Sequence, residues 1–81
     1  MRILIVDDEK PARDRLRQLV GDFGQYEVVG EAGNGRDALD QAAMTKPDIV
    51  LLDIRMPGMD GIETAHHLNA MEQPPAVVFA S

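Results

Sequence analysis

The sequence contains no cysteine and no tryptophan, and aromatic residues make up only 4% of its 81 residues. The absence of cysteine excludes disulfide bridges, thiolate metal sites and a cysteine nucleophile. Apolar runs such as Ile3–Val6 are interrupted early by acidic residues, so they are too short for a signal peptide or a membrane-spanning helix. We therefore expect a cytoplasmic protein with no membrane partner.

Basic residues are also scarce. The chain has 8 Lys and Arg against 14 Asp and Glu, which gives a net charge of −6. Nucleic acids and anionic membranes are bound by basic surfaces, so neither is expected to contact this segment directly. DNA could be reached only through an output domain outside these residues. With 44% hydrophobic residues, the chain is long enough for one small domain.

Short β-branched runs alternate with amphipathic stretches along the whole chain. Asn34 and Asp60 stand where a helix N-cap is expected, and Glu63 follows Asp60 at capping-box spacing. The order βαβαβαβ predicts an α/β fold, a doubly wound parallel sheet with right-handed crossovers and helices on both faces. We predict strands over 3–6, 26–32, 48–53 and 76–81, and helices over 10–23, 34–44 and 60–71.

Two further predictions concern burial. The apolar run 49–52 identifies the third strand as the most buried one, and the first helix carries an apolar stripe beside a charged face that includes Arg13 and Arg17. We expect that charged face to be solvated, with its charges spaced for ion pairs. The stripe consists of Ala12, Leu16, Leu19, Val20 and Phe23.

Polar side chains end three of the predicted strands. Asp7 and Asp8 end the first, Asp53 ends the third and Ser81 ends the fourth. Chemistry in parallel sheets collects at the carboxyl ends of strands, and adjacent first and third strands would bring the three carboxylates together. Such like charges repel unless a hard cation such as Mg²⁺ binds them. Mg²⁺ is usually held by one or two carboxylates together with phosphate oxygens, so this cluster suits metal-assisted phosphoryl transfer. Asp53 could then be a nucleophile and Ser81 a hydrogen-bond donor to the resulting acyl phosphate.

Several of these residues also fit other roles, and two segments fit other kinds of site. Each Asp alone could begin a turn or cap a helix. The segment Gly33–Ala38, "GNGRDA", has the shape of a dinucleotide-binding turn, although it follows the second strand instead of opening the domain. The "DIR" segment matches a haloacid-dehalogenase phosphatase motif except that Arg55 replaces its second aspartate. His66 and His67 are adjacent on a helix and diverge by about 100°, so we expect a surface position for at least one.

The segments "ILIVDDEKPARDRL", "PDIVLLDIRMPGMDG" and "PPAVVFAS" together resemble the receiver domain of two-component response regulators. The resemblance covers the whole chain. It implies a flavodoxin-like sheet of order 2-1-3-4-5, of which this chain would hold 2-1-3-4. It also implies Mg²⁺-dependent transfer of a phosphoryl group from the phosphohistidine of a sensor histidine kinase to an aspartate.

By this resemblance Asp53 is the phospho-acceptor. The resemblance also implies that Asp8 would bind Mg²⁺ directly, that Asp7 would contribute through a water molecule or by its position, and that the backbone carbonyl of Arg55 would be a third protein ligand. Ser81 matches the family's switch residue, whose hydroxyl moves to the phosphoryl oxygen. Three further positions shape the loop after the acceptor and the start of the next helix, namely Pro57, Gly58 and Gly61.

The family pattern continues beyond the segments matched here, with a helix, a fifth strand that bears a lysine, and a last helix. We therefore interpret residues 1–81 as the N-terminal part of a receiver domain. Lys10 and Lys46 do not stand where they could replace that lysine. Without a fifth strand, 77–79 would form an exposed edge, so we expect self-association through the fourth strand or a bare sheet face.

Two functions follow from these residues. The first is a phospho-acceptor signalling domain that is no enzyme in the ordinary sense and receives its phosphoryl group from a histidine kinase, with the first helix as a candidate docking surface. "ARDRLRQLV" and "LLDIRMPGMDG" resemble receivers that precede LytTR-type DNA-binding domains, which implies regulation of transcription. The second function is a non-phosphorylatable interaction or assembly fragment with the same fold.

Overall fold

A computed structural model describes residues 1–56 and 60–80 of the chain. Its elements follow the predicted order of strands and helices. Pro57, Gly58 and Ser81, to which the sequence assigned roles, lie outside the described residues. The elements are β1 (Arg2–Val6), α1 (Lys10–Gly21), β2 (Glu27–Ala32), α2 (Gly35–Thr45), β3 (Ile49–Leu52), α3 (Gly61–Asn69) and β4 (Ala76–Phe79).

The four strands form one parallel sheet in the order β2-β1-β3-β4, as predicted. In the central pair, Val6 of β1 lies opposite Leu52 of β3. The ladder continues one step further, because the Asp53 amide donates to the Val6 carbonyl at 3.0 Å. The residues that follow β1 and β3 therefore emerge at the same level of the same sheet edge.

Side chains of alternating orientation in β1 enter two separate apolar clusters. Leu4 and Val6 pack with residues of α2 and α3, whereas Ile3 and Ile5 pack with Val20 of α1. The helices thus cover both faces of the sheet, as the strand–helix alternation predicts. Each fully buried aliphatic side chain contributes about 1.5–3 kcal/mol relative to an exposed one. Of the four strands, β1 has the most buried residues.

The predicted apolar stripe of α1 is only partly correct. Val20 is buried and Leu16 is half-buried, but Leu19 is exposed, and Phe23 is exposed beyond the end of the helix. The helix packs mainly over β1 and β2, which leaves the β3 side of this sheet face less covered. For the same reason β3 is not the most buried strand, since its residues alternate between half-buried and buried.

Both predicted N-caps are confirmed. The Asn34 side chain accepts a hydrogen bond from the Asp37 amide at 2.8 Å, and the Asp60 side chain accepts one from the Glu63 amide at 2.8 Å. A cap of this kind stabilises a helix by about 1 kcal/mol. Asp60 therefore fixes the residue at which α3 begins, next to the end of β3.

Among residues 1–56 and 60–80, no helix is both long and apolar enough to cross a membrane.

Candidate functional site

An acid cluster lies where β1 and β3 end. Asp7, Asp8 and Asp53 each contribute a carboxylate oxygen, and these oxygens lie within 4.8 Å of one another. Asp7 is buried, Asp53 is half-buried and Asp8 is exposed. The predicted convergence of these three carboxylates is confirmed, and it follows from the register that sets Val6 opposite Leu52.

Two of the three carboxylates are fixed by the same local geometry. One oxygen of Asp7, Oδ1, accepts the Glu9 amide at 2.9 Å, and one oxygen of Asp53, Oδ1, accepts the Arg55 amide at 3.0 Å. These are the two-residue turns that aspartate favours after a strand. The reading of Asp7 and Asp53 as turn residues is therefore correct for their Oδ1 atoms, and it leaves the second oxygen of each carboxylate for other partners.

The spacing of the cluster fits a small divalent cation. Two oxygens bound to one Mg²⁺ at about 2.1 Å lie about 3 to 4.2 Å apart in an octahedron. Carboxylate oxygens within 4.8 Å of one another reach that spacing through small side-chain rotations, or through one bridging water. Mg²⁺ usually retains several waters, so three carboxylates at an open edge suit it better than an enclosed cage.

The acid cluster faces an open cleft of about 580 Å³. Arg15 of α1 and Arg55 bring cationic side chains to its walls, so the cleft is not uniformly acidic. Ala80 reaches the cleft because its amide donates to the Leu52 carbonyl at 2.9 Å. The lining residues are Asp7, Asp8, Glu9, Ala12, Arg15, Leu16, Asp53, Arg55 and Ala80.

Other residues singled out from the sequence lie away from this cleft. Lys10 forms an ion pair with Asp14 at 2.9 Å, and Lys46 is the C-cap residue of α2. His66 and His67 are both exposed in the last turn of α3, as expected for at least one of them. None of these four side chains lines the cleft that the acid cluster faces.

Gly61 brings the start of α3 against the end of β3. A Cβ at this position would lie 2.5 Å from the Asp53 carbonyl oxygen and 2.5 Å from the Ile54 Cα. The Gly61 amide donates to the Ile54 carbonyl at 2.9 Å. The close approach of two backbones therefore helps to hold Asp53 in place, and the prediction that Gly61 opens the helix is confirmed.

Sequence reasoning missed the contacts of Arg13. Its Nη1 donates to the Asp7 carbonyl at 2.6 Å, and its Nε donates to Glu31 at 3.2 Å. The expectation of a solvated face is wrong at this residue, because the side chain is only 19% exposed. No signal in the sequence separates Arg13 from Arg17, because both flank the apolar stripe, and it is the fold that brings Arg13 to the Asp7 carbonyl.

Comparison with protein families and curated proteins gives a consistent result. The family model of the response regulator receiver domain matches residues 3–81. Over 82 aligned residues the chain is 54% identical to the positive alginate biosynthesis regulatory protein of Pseudomonas aeruginosa, covering 100% of this chain and 33% of that protein. It is 44% identical over 81 residues to the sensory transduction protein LytT of Bacillus anthracis, with coverage of 100% and 33%. The chain thus spans about a third of the length of these relatives.

Solved structures agree in fold. The response regulator domain of Thermotoga maritima CheB superposes with a TM-score of 0.88 at 34% identity, covering 98% of this chain and 58% of that one. The CheX–CheY–BeF₃–Mg²⁺ complex of Borrelia burgdorferi contains a chain that matches with a TM-score of 0.90 at 30% identity, covering 98% and 60%.

Proposed function

The chain belongs to the response regulator receiver family, and on that premise we propose that Asp53 accepts a phosphoryl group from a sensor histidine kinase in the presence of Mg²⁺. The observation that carries this proposal is the acid cluster, in which three carboxylate oxygens lie within 4.8 Å at the carboxyl ends of β1 and β3. A turn or a helix cap uses one carboxylate, whereas oxygen atoms from several carboxylates at this spacing are the ligands that a divalent cation binds.

Asp53 has the position expected of the nucleophile. Its Oδ1 is engaged by the Arg55 amide, and its Oδ2 has no hydrogen bond among residues 1–56 and 60–80. We assign the attack on phosphorus to the free oxygen. A P–O bond forms as the bond between phosphorus and the histidine nitrogen breaks, and the imidazole leaves with the bonding electron pair. The product is an acyl phosphate on Asp53.

The proposed ion site uses the residues named by the sequence. Asp8, Asp53 and the Arg55 backbone carbonyl would bind Mg²⁺ directly, and Asp7 would contribute through a water molecule or by its position. When bound, the ion would offset the negative charge of the carboxylates and of the phosphoryl oxygens. The Borrelia burgdorferi complex supports this assignment, since it contains both Mg²⁺ and BeF₃, a mimic of a phosphoryl group.

We further propose that the domain controls an output located elsewhere in a longer protein. Ser81 would be the switch hydroxyl that contacts the phosphoryl oxygen, and the position of Ala80 at the cleft is consistent with this. The named relatives are a regulatory protein and a sensory transduction protein about three times as long as this chain. Regulation of transcription through a DNA-binding domain outside these residues is the output we propose.

The phospho-acceptor role is tested by incubating the intact protein with Mg²⁺ and acetyl phosphate. We expect a mass gain of one phosphoryl group that hydroxylamine removes, as it does from acyl phosphates. Asp53→Asn should abolish the gain, while Asp40→Asn, an equivalent change at an exposed residue of α2, should retain it. A gain that persists in Asp53→Asn would contradict the assignment of the acceptor.

The second candidate function is an interaction or assembly fragment that is not phosphorylated. It is favoured by one observation, the exposure of Val78 and Phe79 on β4, which has a single neighbour among the described strands. The same incubation distinguishes the two functions. A wild-type protein that gains no mass with Mg²⁺ and acetyl phosphate would support the second function and exclude the first.

A further inference from the structure

Arg13 ties α1 to the backbone that carries the acid cluster. Its guanidinium Nη1 donates to the Asp7 carbonyl oxygen at 2.6 Å, and its side chain is only 19% exposed. A hydrogen bond from an ionised donor is roughly twice as strong as one between neutral groups, and partial burial reduces its competition with water. The contact is therefore strong enough to restrain the local backbone.

The restrained carbonyl belongs to the peptide that leads into Asp8. Because a peptide unit is planar, holding the Asp7 oxygen also fixes the plane that contains the Asp8 nitrogen and Cα. The preceding peptide is already fixed, since the Asp7 amide donates to the Ala32 carbonyl at 3.0 Å. Arg13 thus restrains the peptide between Asp7 and Asp8, and the position of this peptide determines where the exposed Asp8 carboxylate lies.

A carboxylate on β2 orients the guanidinium. Glu31 accepts the Arg13 Nε at 3.2 Å with one oxygen, and its other oxygen lies 3.2 Å from Nη1 of Arg17. The guanidinium also lies against Gly33, where an added Cβ would come within 3.4 Å of Nη1. Arg17 differs from Arg13 in two respects, because its side chain is 51% exposed and its contact is with Glu31 alone among the described hydrogen bonds and ion pairs.

We propose that Arg13 is a positioning residue for the divalent-cation site, acting through the Asp7–Asp8 peptide and not by contact with the ion. This inference rests on the proposed function, since it assumes that the acid cluster binds Mg²⁺. It assigns to α1 a role in metal affinity in addition to its role in packing, and it explains why this arginine is half-buried while the neighbouring charges of α1 are not.

The charge of Arg13 allows a sharp test, because two explanations predict opposite signs. If Arg13 acted only as a nearby positive charge, its removal would strengthen Mg²⁺ binding by a negative cluster. If it positions Asp8, its removal weakens binding. Loss of an outer contact that orients a metal ligand typically costs about 10- to 100-fold in metal affinity.

The experiment is calorimetric titration of Mg²⁺ into the intact wild-type protein and the variants Arg13→Gln, Arg13→Lys and Arg17→Gln. We expect about tenfold weaker binding for Arg13→Gln. Arg17→Gln removes the same charge from the same helix, and we expect its affinity to equal or slightly exceed that of the wild type. Arg13→Lys retains the charge but not the forked geometry, so its affinity should lie between those of the wild type and Arg13→Gln.

A second readout separates positioning from general destabilisation. With acetyl phosphate as donor, Arg13→Gln should require about tenfold more Mg²⁺ for half-maximal phosphorylation and should approach the wild-type rate at saturating Mg²⁺. Circular dichroism establishes that each variant is folded at the temperature used, and Arg13→Lys provides the test if Arg13→Gln is not. Unchanged or tighter Mg²⁺ binding by folded Arg13 variants would overturn this inference alone. A wild-type protein that does not bind Mg²⁺ would overturn the proposed function and the inference with it.

Discussion

At the residue scale, the carboxyl end of β3 is held by backbone contacts as well as by carboxylates. Gly61 is the position where this is most demanding, because an added Cβ would lie 2.5 Å from both the Asp53 carbonyl oxygen and the Ile54 Cα. Both neighbours are backbone atoms that cannot rotate away. A side chain at Gly61 must therefore displace either the start of α3 or the segment that carries Asp53.

Gly61→Ala is expected to destabilise the fold by about 1–3 kcal/mol, the usual cost of forcing extra atoms into a packed site. The measurement is chemical denaturation followed by circular dichroism. Gly21→Ala is the matched control, since a Cβ at Gly21 meets nothing within 4 Å. That change should be neutral or stabilising by up to about 1 kcal/mol, because alanine favours the helix. Equal denaturation midpoints for Gly61→Ala and the wild type would contradict the contact.

The residues of the candidate site differ in how far the sequence revealed them. The convergence of Asp7, Asp8 and Asp53 was predictable, because parallel strands of similar length end at one edge and the apolar runs mark those ends. The contact of Arg13 with Asp7 could not be predicted from the sequence, because it depends on the rotation of α1 about its axis and on the carboxylate of Glu31 in β2. Arg13 and Arg17 look alike in the sequence and differ only in the fold.

At the element scale, the period of apolar residues and the capping residues were sufficient to predict every element. The Asn34 and Asp60 caps form because their side chains satisfy amides that a helix start leaves free. The end of α1 was less predictable. The apolar period continues to Phe23, yet the helix ends at Gly21, a residue that disfavours a continued helix, and Phe23 beyond it is exposed.

The fourth strand should promote self-association of the 81-residue chain. β4 has one neighbour among the described strands, and Val78 and Phe79 are 47% and 44% exposed. Open apolar edges pair with other chains. We expect light scattering to show a concentration-dependent increase in mass, which Val78→Lys reduces by placing a charge on the edge.

The control for this effect is Met44→Lys, which introduces the same charge at an exposed apolar residue of α2. It should leave the association unchanged. A wild-type chain that remains monomeric at high concentration would exclude association through β4, and equal effects of the two lysine variants would assign it to another surface.

At the scale of the whole molecule, we expect the acid cluster to link folding to ion binding. The chain carries a net charge of −6, and three of its carboxylates have oxygens within 4.8 Å of one another. Charges this close repel in the folded state, whereas in the unfolded chain Asp53 is far from Asp7 and Asp8. Folding without a cation therefore requires the core to offset this repulsion, and a bound cation removes it. The site and the stability of the fold are expected to respond to the same ligand.

Mg²⁺ should accordingly raise the melting temperature of the protein. A ligand that binds only the folded state at 100 times its Kd stabilises it by about 2.7 kcal/mol. For a domain of this size each kcal/mol corresponds to about 4–8 °C, so we expect a rise of at least about 10 °C, reversed by EDTA. Calorimetry in NaCl of equal ionic strength measures the part of the temperature shift that is due to screening.

The control variant is Asp8→Asn. It should melt at a higher temperature than the wild type without Mg²⁺, because one repelling charge is lost, and its melting temperature should rise little when Mg²⁺ is added. A shift that NaCl reproduces, or that Asp8→Asn retains in full, would show that the ion binds elsewhere or not at all.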